Sequence, residues 1–176
     1  MENAIYYTFS TIPQVLAALI ALVGVFVIFK IQILNKELLG FGKAILDEFE
    51  RCEKVREKVK QKNKMLESRL KKSINRNDFD GLGIQINEIA EILNTKSLSG
   101  VAESYVKSKE FKENLIKKTK TESIFSIIVI LMSVVILPFA KIISTNLFCS
   151  ILIFFIIMLL FGLSLFLIII IVKESL

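Results

Sequence analysis

Carboxylates spaced closely enough for acid–base work or for gripping a cation include Asp78 with Asp80 and Glu88 with Glu91. Each pair has a plainer use. An Asp pair at a helix start caps free backbone N–H groups, and two Glu residues three apart on a polar helix face are usually solvated. The chain holds no histidine. That removes imidazole general bases, Ser–His and Cys–His nucleophile pairs, and histidine-containing metal sites. Gly81-Leu82-Gly83 is the one loop resembling a phosphate cradle, but it lacks a third glycine and a lysine. A turn or helix start suits it better. No catalytic residue, metal ligand or cofactor is expected, and the chain reads as a non-enzyme.

Positive charge is the stronger chemical signal. Between Arg51 and Arg76 stand eleven basic residues against three acidic ones, a net of +8. Lys54, Lys58, Lys60, Lys62, Lys64, Lys71 and Lys72 are the candidates for holding an anionic partner. The plain alternative is a solvated helix face, balanced in part by acids on residues 77–122. An acidic cytoplasmic protein or a nucleic acid would fit the run. Nucleic acid lacks support from aromatics, since none lies between Phe49 and Phe79 to stack on bases. Lipid headgroups are the weakest choice, because the run begins some distance beyond the nearest apolar stretch.

The elements that carry these residues follow from how charge is segregated. The composition is 53% apolar and 23% charged. Three stretches hold no charge at all: Asn3 to Phe29, Ser123 to Ala140, and Ile142 to Val172. A bilayer core takes about 20 apolar helical residues to cross, so each stretch predicts a transmembrane helix. The first has no basic n-region before it and reads as an uncleaved anchor. Lys141 to Asn146 join the last two into a tight hairpin, with a re-entrant hairpin as the alternative. The expected fold is all-α and integral to the membrane. Its parts are a first span over 1–34, a basic helical insertion over 35–122, and a hairpin with a tail over 123–176.

Lysines set the orientation. Lys30 and Lys36 follow the first span, Lys117, Lys118 and Lys120 precede the second, and Lys173 follows the third. Only Lys141 lies on the opposite side. The positive-inside rule then predicts an outside N-terminus, with the insertion and the C-terminus in the cytoplasm. Multi-pass placement in the cell membrane is expected. Cys52 and Cys149 belong to segments of opposite character and form no disulfide framework.

Within the insertion, Ile31, Leu38, Ile45, Cys52, Val59 and Leu66 recur every seven residues, with Leu34, Phe41, Phe49, Val55 and Leu70 beside them. This predicts a coiled-coil-like seam. One long helix over Lys43 to Lys72 would rise roughly 45 Å. Gly40 and Gly42 interrupt the seam and suggest a hinge. A turn at Ser73 to Asp78 leads to a helix with Phe79, Leu82, Ile86, Ile89 and Leu93 on one face. A second loop over Asn94 to Gly100 precedes a last helix carrying Tyr105, Phe111 and Leu115. The insertion is therefore expected as a long helical hairpin.

In the spans, Ser10, Gln14, Ala17, Ala21 and Gly24 form a stripe of small and polar residues. Such stripes let helices approach closely, so this one is the candidate helix-packing or oligomer interface. Ser126, Ser133 and Ala140 align every seven residues, and Gly162 offers a notch in the third span. The expected function is that of an oligomeric membrane protein whose helical insertion receives a partner or signal and relays it to the membrane. A channel or pore-forming effector of the prokaryotic toxicity or antiphage type is the alternative, and a membrane-bound nuclease a more distant one. Membrane lipid and further copies of the chain are the expected partners.

Overall fold

The structure, a computed structural model, describes residues 2–53, 60–93 and 96–175. Among them every regular element is helical: α1 (Glu2–Glu53), α2 (Lys60–Arg76), α3 (Phe79–Leu93), α4 (Lys96–Ile136), a single 3-10 turn (Leu137–Phe139), α5 (Ala140–Thr145) and α6 (Leu147–Ser175). Three helices are long and apolar enough to cross a membrane, in the ranges Tyr6–Arg51, Leu98–Ile143 and Phe148–Ser175. The chain divides into two compact units, one of Met1–Lys30 with Asn114–Leu176, the other of Ile31–Glu113. α1 and α4 contribute residues to both.

The first unit buries one stripe of each helix and leaves the rest apolar. Phe9, Ile12, Leu16, Val23 and Val27 of α1 are buried at three- and four-residue spacing. α4 buries Ser126, Val129 and Ser133, and Ala140 follows on α5. α6 buries Ser150, Ile157, Ser164 and Ile171, again every seven residues. Ser126 and Ser164 share a hydrogen bond, and Lys118 pairs with Glu174. Both contacts fit one antiparallel register of α4 against α6. Small residues along the seam let the backbones close in. Outward, Leu22, Ile28, Leu131, Val135, Phe155, Phe166 and Ile169 are all exposed. Water would penalise so much apolar surface; hydrocarbon does not. Pro138 opens the 3-10 turn, and Asn146 in extended backbone ends α5. The Asn146 side-chain oxygen accepts the Cys149 N–H at 3.3 Å, which starts α6.

In the second unit four helical segments share one core. Leu38, Ile45 and Phe49 of α1 meet Leu70 of α2, Leu82, Ile86 and Ile89 of α3, and Leu98, Ala102 and Tyr105 of α4. The expected single helix over Lys43 to Lys72 is overturned. Lys71 Nζ lies 3.0 Å from Glu50 Oε1, whereas one straight helix would hold these positions about 31 Å apart. The chain has turned back, so α2 packs on α1. The seam residues Leu38, Ile45, Phe49, Leu66 and Leu70 are buried as their spacing suggested, but the faces that cover them come from the same chain. Val55, Val59 and the Cys52 side chain lie outside the described residues.

The link between α2 and α3 is two residues long and closes with a full set of backbone bonds. The Asp78 N–H bonds the Ser73 carbonyl at 3.0 Å and the Asn77 N–H bonds the Ile74 carbonyl at 3.2 Å. That pair of bonds is a Schellman motif. It needs a left-handed residue, supplied by Asn77 at φ 54°. Asp78 then caps α3 by accepting the Gly81 N–H at 3.0 Å. A Cβ on Gly81 would stand 2.3 Å from Asp78 Oδ2, so the glycine makes room for the cap. The expected loop over Asn94 to Gly100 is shorter, since α4 already begins at Lys96. Burial of Leu98 and Ala102 offsets the poor helix propensity of Gly100.

Candidate functional site

Each carboxylate pair proposed for chemistry has been taken up by the fold or left in solvent. Asp78 is a helix cap, and Asp80 is ion-paired with Lys109 of α4. That hydrogen bond, more than any other influence, holds the Asp80 carboxyl below its usual range. Lys112 sits 4.1 Å above the Phe79 ring, a cation–π contact. Glu88 is half-buried and Glu91 exposed on α3. Gly81-Leu82-Gly83 forms the first turn of α3, with Leu82 pointing into the core.

The basic run resolves into residues with different employments. Lys54 and Lys58 lie outside the described residues, as do the side chains of Lys60 and Lys62. Lys64 is exposed on α2. Lys71 is engaged by Glu67 and Glu50, whose hydrogen bonds raise its pKa. Lys72 is the one that stands with others. Arg69, Lys72 and Arg76 fall on one face of α2 and line an open cavity of about 250 Å³ with Ser73, Asp78 and Gln85. None of the three cations forms an ion pair among the described residues. Gln85 Oε1 is buried there without a hydrogen-bond partner. Sequence reasoning held Arg69 and Arg76 within the run without singling them out. Their spacing of three and four residues from Lys72 was the available signal.

The stripe of the first span faces outward in the single chain. Gln14, Ala17 and Ala21 are exposed, and Ser10 is half-buried with its hydroxyl donating to the Tyr7 carbonyl at 3.1 Å. Gly24 is half-buried, and a Cβ there would meet nothing within 4 Å. Packing inside the chain uses the adjacent stripe from Phe9 to Val27. Gly40 and Gly42 both lie inside unbroken α1. Gly40 is exposed, but Gly42 is buried, and a Cβ on it would stand 2.9 Å from Leu82 Cδ1 and 3.3 Å from Ile74 Cγ1. Close approach of helices explains Gly42 without a bend. Gly162 is exposed with open space around it, so the notch is not used for packing inside the chain.

One polar group was missed. Glu122 is 2% exposed, and its Oε1 accepts hydrogen bonds from Ser126 Oγ and, at 3.3 Å, from Ser164 Oγ. Its Oε2 is buried with no partner. The charge-free stretch was read from Ser123, which left Glu122 among the solvated charges. Its interval of four to Ser126 places it on the Ser126–Ser133–Ala140 line, and that was the signal.

Comparison with known protein families, curated proteins and solved structures finds no match to this chain.

Proposed function

We propose that the chain is a non-enzymatic, oligomeric protein of the cell membrane whose helical insertion receives an acidic protein partner and relays its arrival to the membrane helices. The observation that carries this reading is the Arg69–Lys72–Arg76 face. Three cations that form no ion pair among the described residues line a concave surface, where an anionic side chain or chain end would gain charge-assisted hydrogen bonds. Lysine spacing argues for the N-terminus outside and the insertion in the cytoplasm. α1 and α4 pass through residues of both units as unbroken helices, which supports a mechanical relay. The exposure of Gln14, Ala17 and Ala21 leaves that stripe open to a second copy.

The test is binding of poly-glutamate to the full chain in nanodiscs. Arg69→Glu, Lys72→Glu and Arg76→Glu together should weaken it by about tenfold or more, while Lys107→Glu on α4 should not. Equal binding by both variants would remove the site. Preference for a single-stranded oligonucleotide, with affinity falling steeply as salt rises, would move the partner to nucleic acid. Dye leakage from liposomes holding the wild-type protein would favour the pore reading instead.

A further inference from the structure

The insertion has a second concave face besides the one that carries the α2 cations. This cavity, of about 350 Å³, is lined by Asp80, Ile84 and Asn87 of α3 and by Val106, Glu110 and Glu113 of α4. Ile84 is 70% exposed and Val106 39%, so apolar surface lies open beside the acids. Lys109 also lines it, but is committed to Asp80 and stands 3.8 Å from Glu113. Lys112 sits over the Phe79 ring. Glu110 is exposed and forms no ion pair among the described residues. Three carboxylates against one lysine leave this cavity at a net charge of −2. Arg69, Lys72 and Arg76 against Asp78 leave the α2 cavity at +2. The two match in magnitude and oppose in sign.

Their placement on α3 decides what can bring them together. Gln85 lines the basic cavity and Asn87 the acidic one. Two residues apart on one helix, they stand about 200° apart around its axis and about 3 Å apart along it. One short length of α3 therefore has basic ground on one side and acidic ground on the other. The two cavities cannot close on each other inside one copy. Two copies can bring them together, and each such contact leaves one basic and one acidic cavity free, so it repeats head to tail. Copies held in one bilayer also meet at a raised effective concentration, an advantage that a free acidic protein lacks.

We infer that the α2 cations of one copy dock in the acidic cavity between α3 and α4 of a second copy. Arg69, Lys72 and Arg76 meet Glu110 and Glu113, the carboxylates that Lys109 holds least closely, and the contact covers Ile84 and Val106. This rests on reading the α2 face as the receiver of an acidic protein, and it names that protein as another copy of the chain. Arrival of the partner is then assembly of the insertions, and poly-glutamate competes with it for the same cations.

Two measurements on the full chain in liposomes of choline phospholipid test this. Zero-length carbodiimide treatment of mixed isotope-labelled and unlabelled copies should join Lys72 of one copy to Glu110 or Glu113 of the other. Absence of that link in the wild type would overturn the inference. Self-association is read as energy transfer between donor- and acceptor-labelled copies. It should weaken by about tenfold or more in the Arg69→Glu, Lys72→Glu, Arg76→Glu variant, and equally in Glu110→Lys, Glu113→Lys, because like charges then face each other. Mixing the two variants should restore it, since the reversed α2 face of one fits the reversed cavity of the other. Wild-type transfer in either variant alone would overturn the inference, as would a loss that mixing fails to restore. Glu110→Lys, Glu113→Lys keeps the α2 face and should bind poly-glutamate as the wild type does. A wild type that binds poly-glutamate but does not self-associate would sink the second copy and leave the α2 site standing.

Discussion

Glu50 and Lys71 form an ion pair at 3.0 Å although the chain between them could extend as one helix. The pair marks the reversal that turns a coiled-coil-like segment into a core of four helical segments. What drives the reversal is burial rather than charge. Leu70 beside Lys71 is fully buried, whereas the Lys71 and Glu50 side chains each stay nearly half exposed. Leu70→Ala should therefore destabilise the insertion by about 2–5 kcal/mol. Lys71→Ala should leave its denaturation midpoint almost unchanged, because exposed ion pairs contribute little. Denaturant melts of the two variants in detergent check this, and a reversed order would contradict it.

The two glycines of α1 should part company. Gly40→Ala adds helix propensity in open space and should stabilise by up to about 1 kcal/mol. Gly42→Ala gains the same propensity but pushes a methyl against Leu82 and Ile74. Its net effect should be neutral to destabilising, and Gly42→Leu should cost about 1–3 kcal/mol or more by overpacking. Stabilisation by Gly42→Leu in a thermal melt would show that the close approach is absent.

Alkaline pH should expose the Tyr105 contact. The Tyr105 hydroxyl donates to the Phe79 carbonyl, and burial, followed by the charges of Asp80 and Asp78, pushes its pKa up to about 12. The unfolded chain loses this proton near pH 10. Stability from Tyr105 is thus fully present below pH 10 and is lost progressively as pH rises from 10 to about 12. Tyr105→Phe should cost ~1 kcal/mol at neutral pH through the lost hydrogen bond, and should flatten the alkaline decline. A decline of equal size in that variant would assign it to other groups.

Orientation rests on the lysines, and it is directly measurable. A reporter fused after Asn94, between α3 and α4, should be active only in a form that works in the cytoplasm. Activity of a reporter that requires the outer side would invert the topology.

Much of this architecture is written in residue spacing. The buried faces of Leu38 and Ile45, and of Leu82, Ile86 and Ile89, follow from three-, four- and seven-residue intervals that any amphipathic helix must show. The three apolar helices follow equally from segregation of charge. That α2 packs back on α1 was not legible, because neither glycine nor proline interrupts a lysine-rich run of good helix formers. The α6 seam of Ser150, Ile157, Ser164 and Ile171 was readable, but every apolar residue of α6 resembles its neighbours, so Gly162 drew the attention instead. Glu122 was hidden by its company. A carboxylate one residue before an apolar stretch looks solvated until Ser126 and Ser164 are seen to hold it.

The relay is the central claim, and one distance measurement reaches it most directly. Spin labels at the exposed positions Leu22 of α1 and Leu159 of α6 both report from the membrane unit. With the full chain in nanodiscs, saturating poly-glutamate should shift their separation by on the order of 1–2 Å, the scale of helix shifts in switching proteins. The shift should vanish in the Arg69→Glu, Lys72→Glu, Arg76→Glu variant. An unchanged distance distribution while poly-glutamate is demonstrably bound would contradict the account.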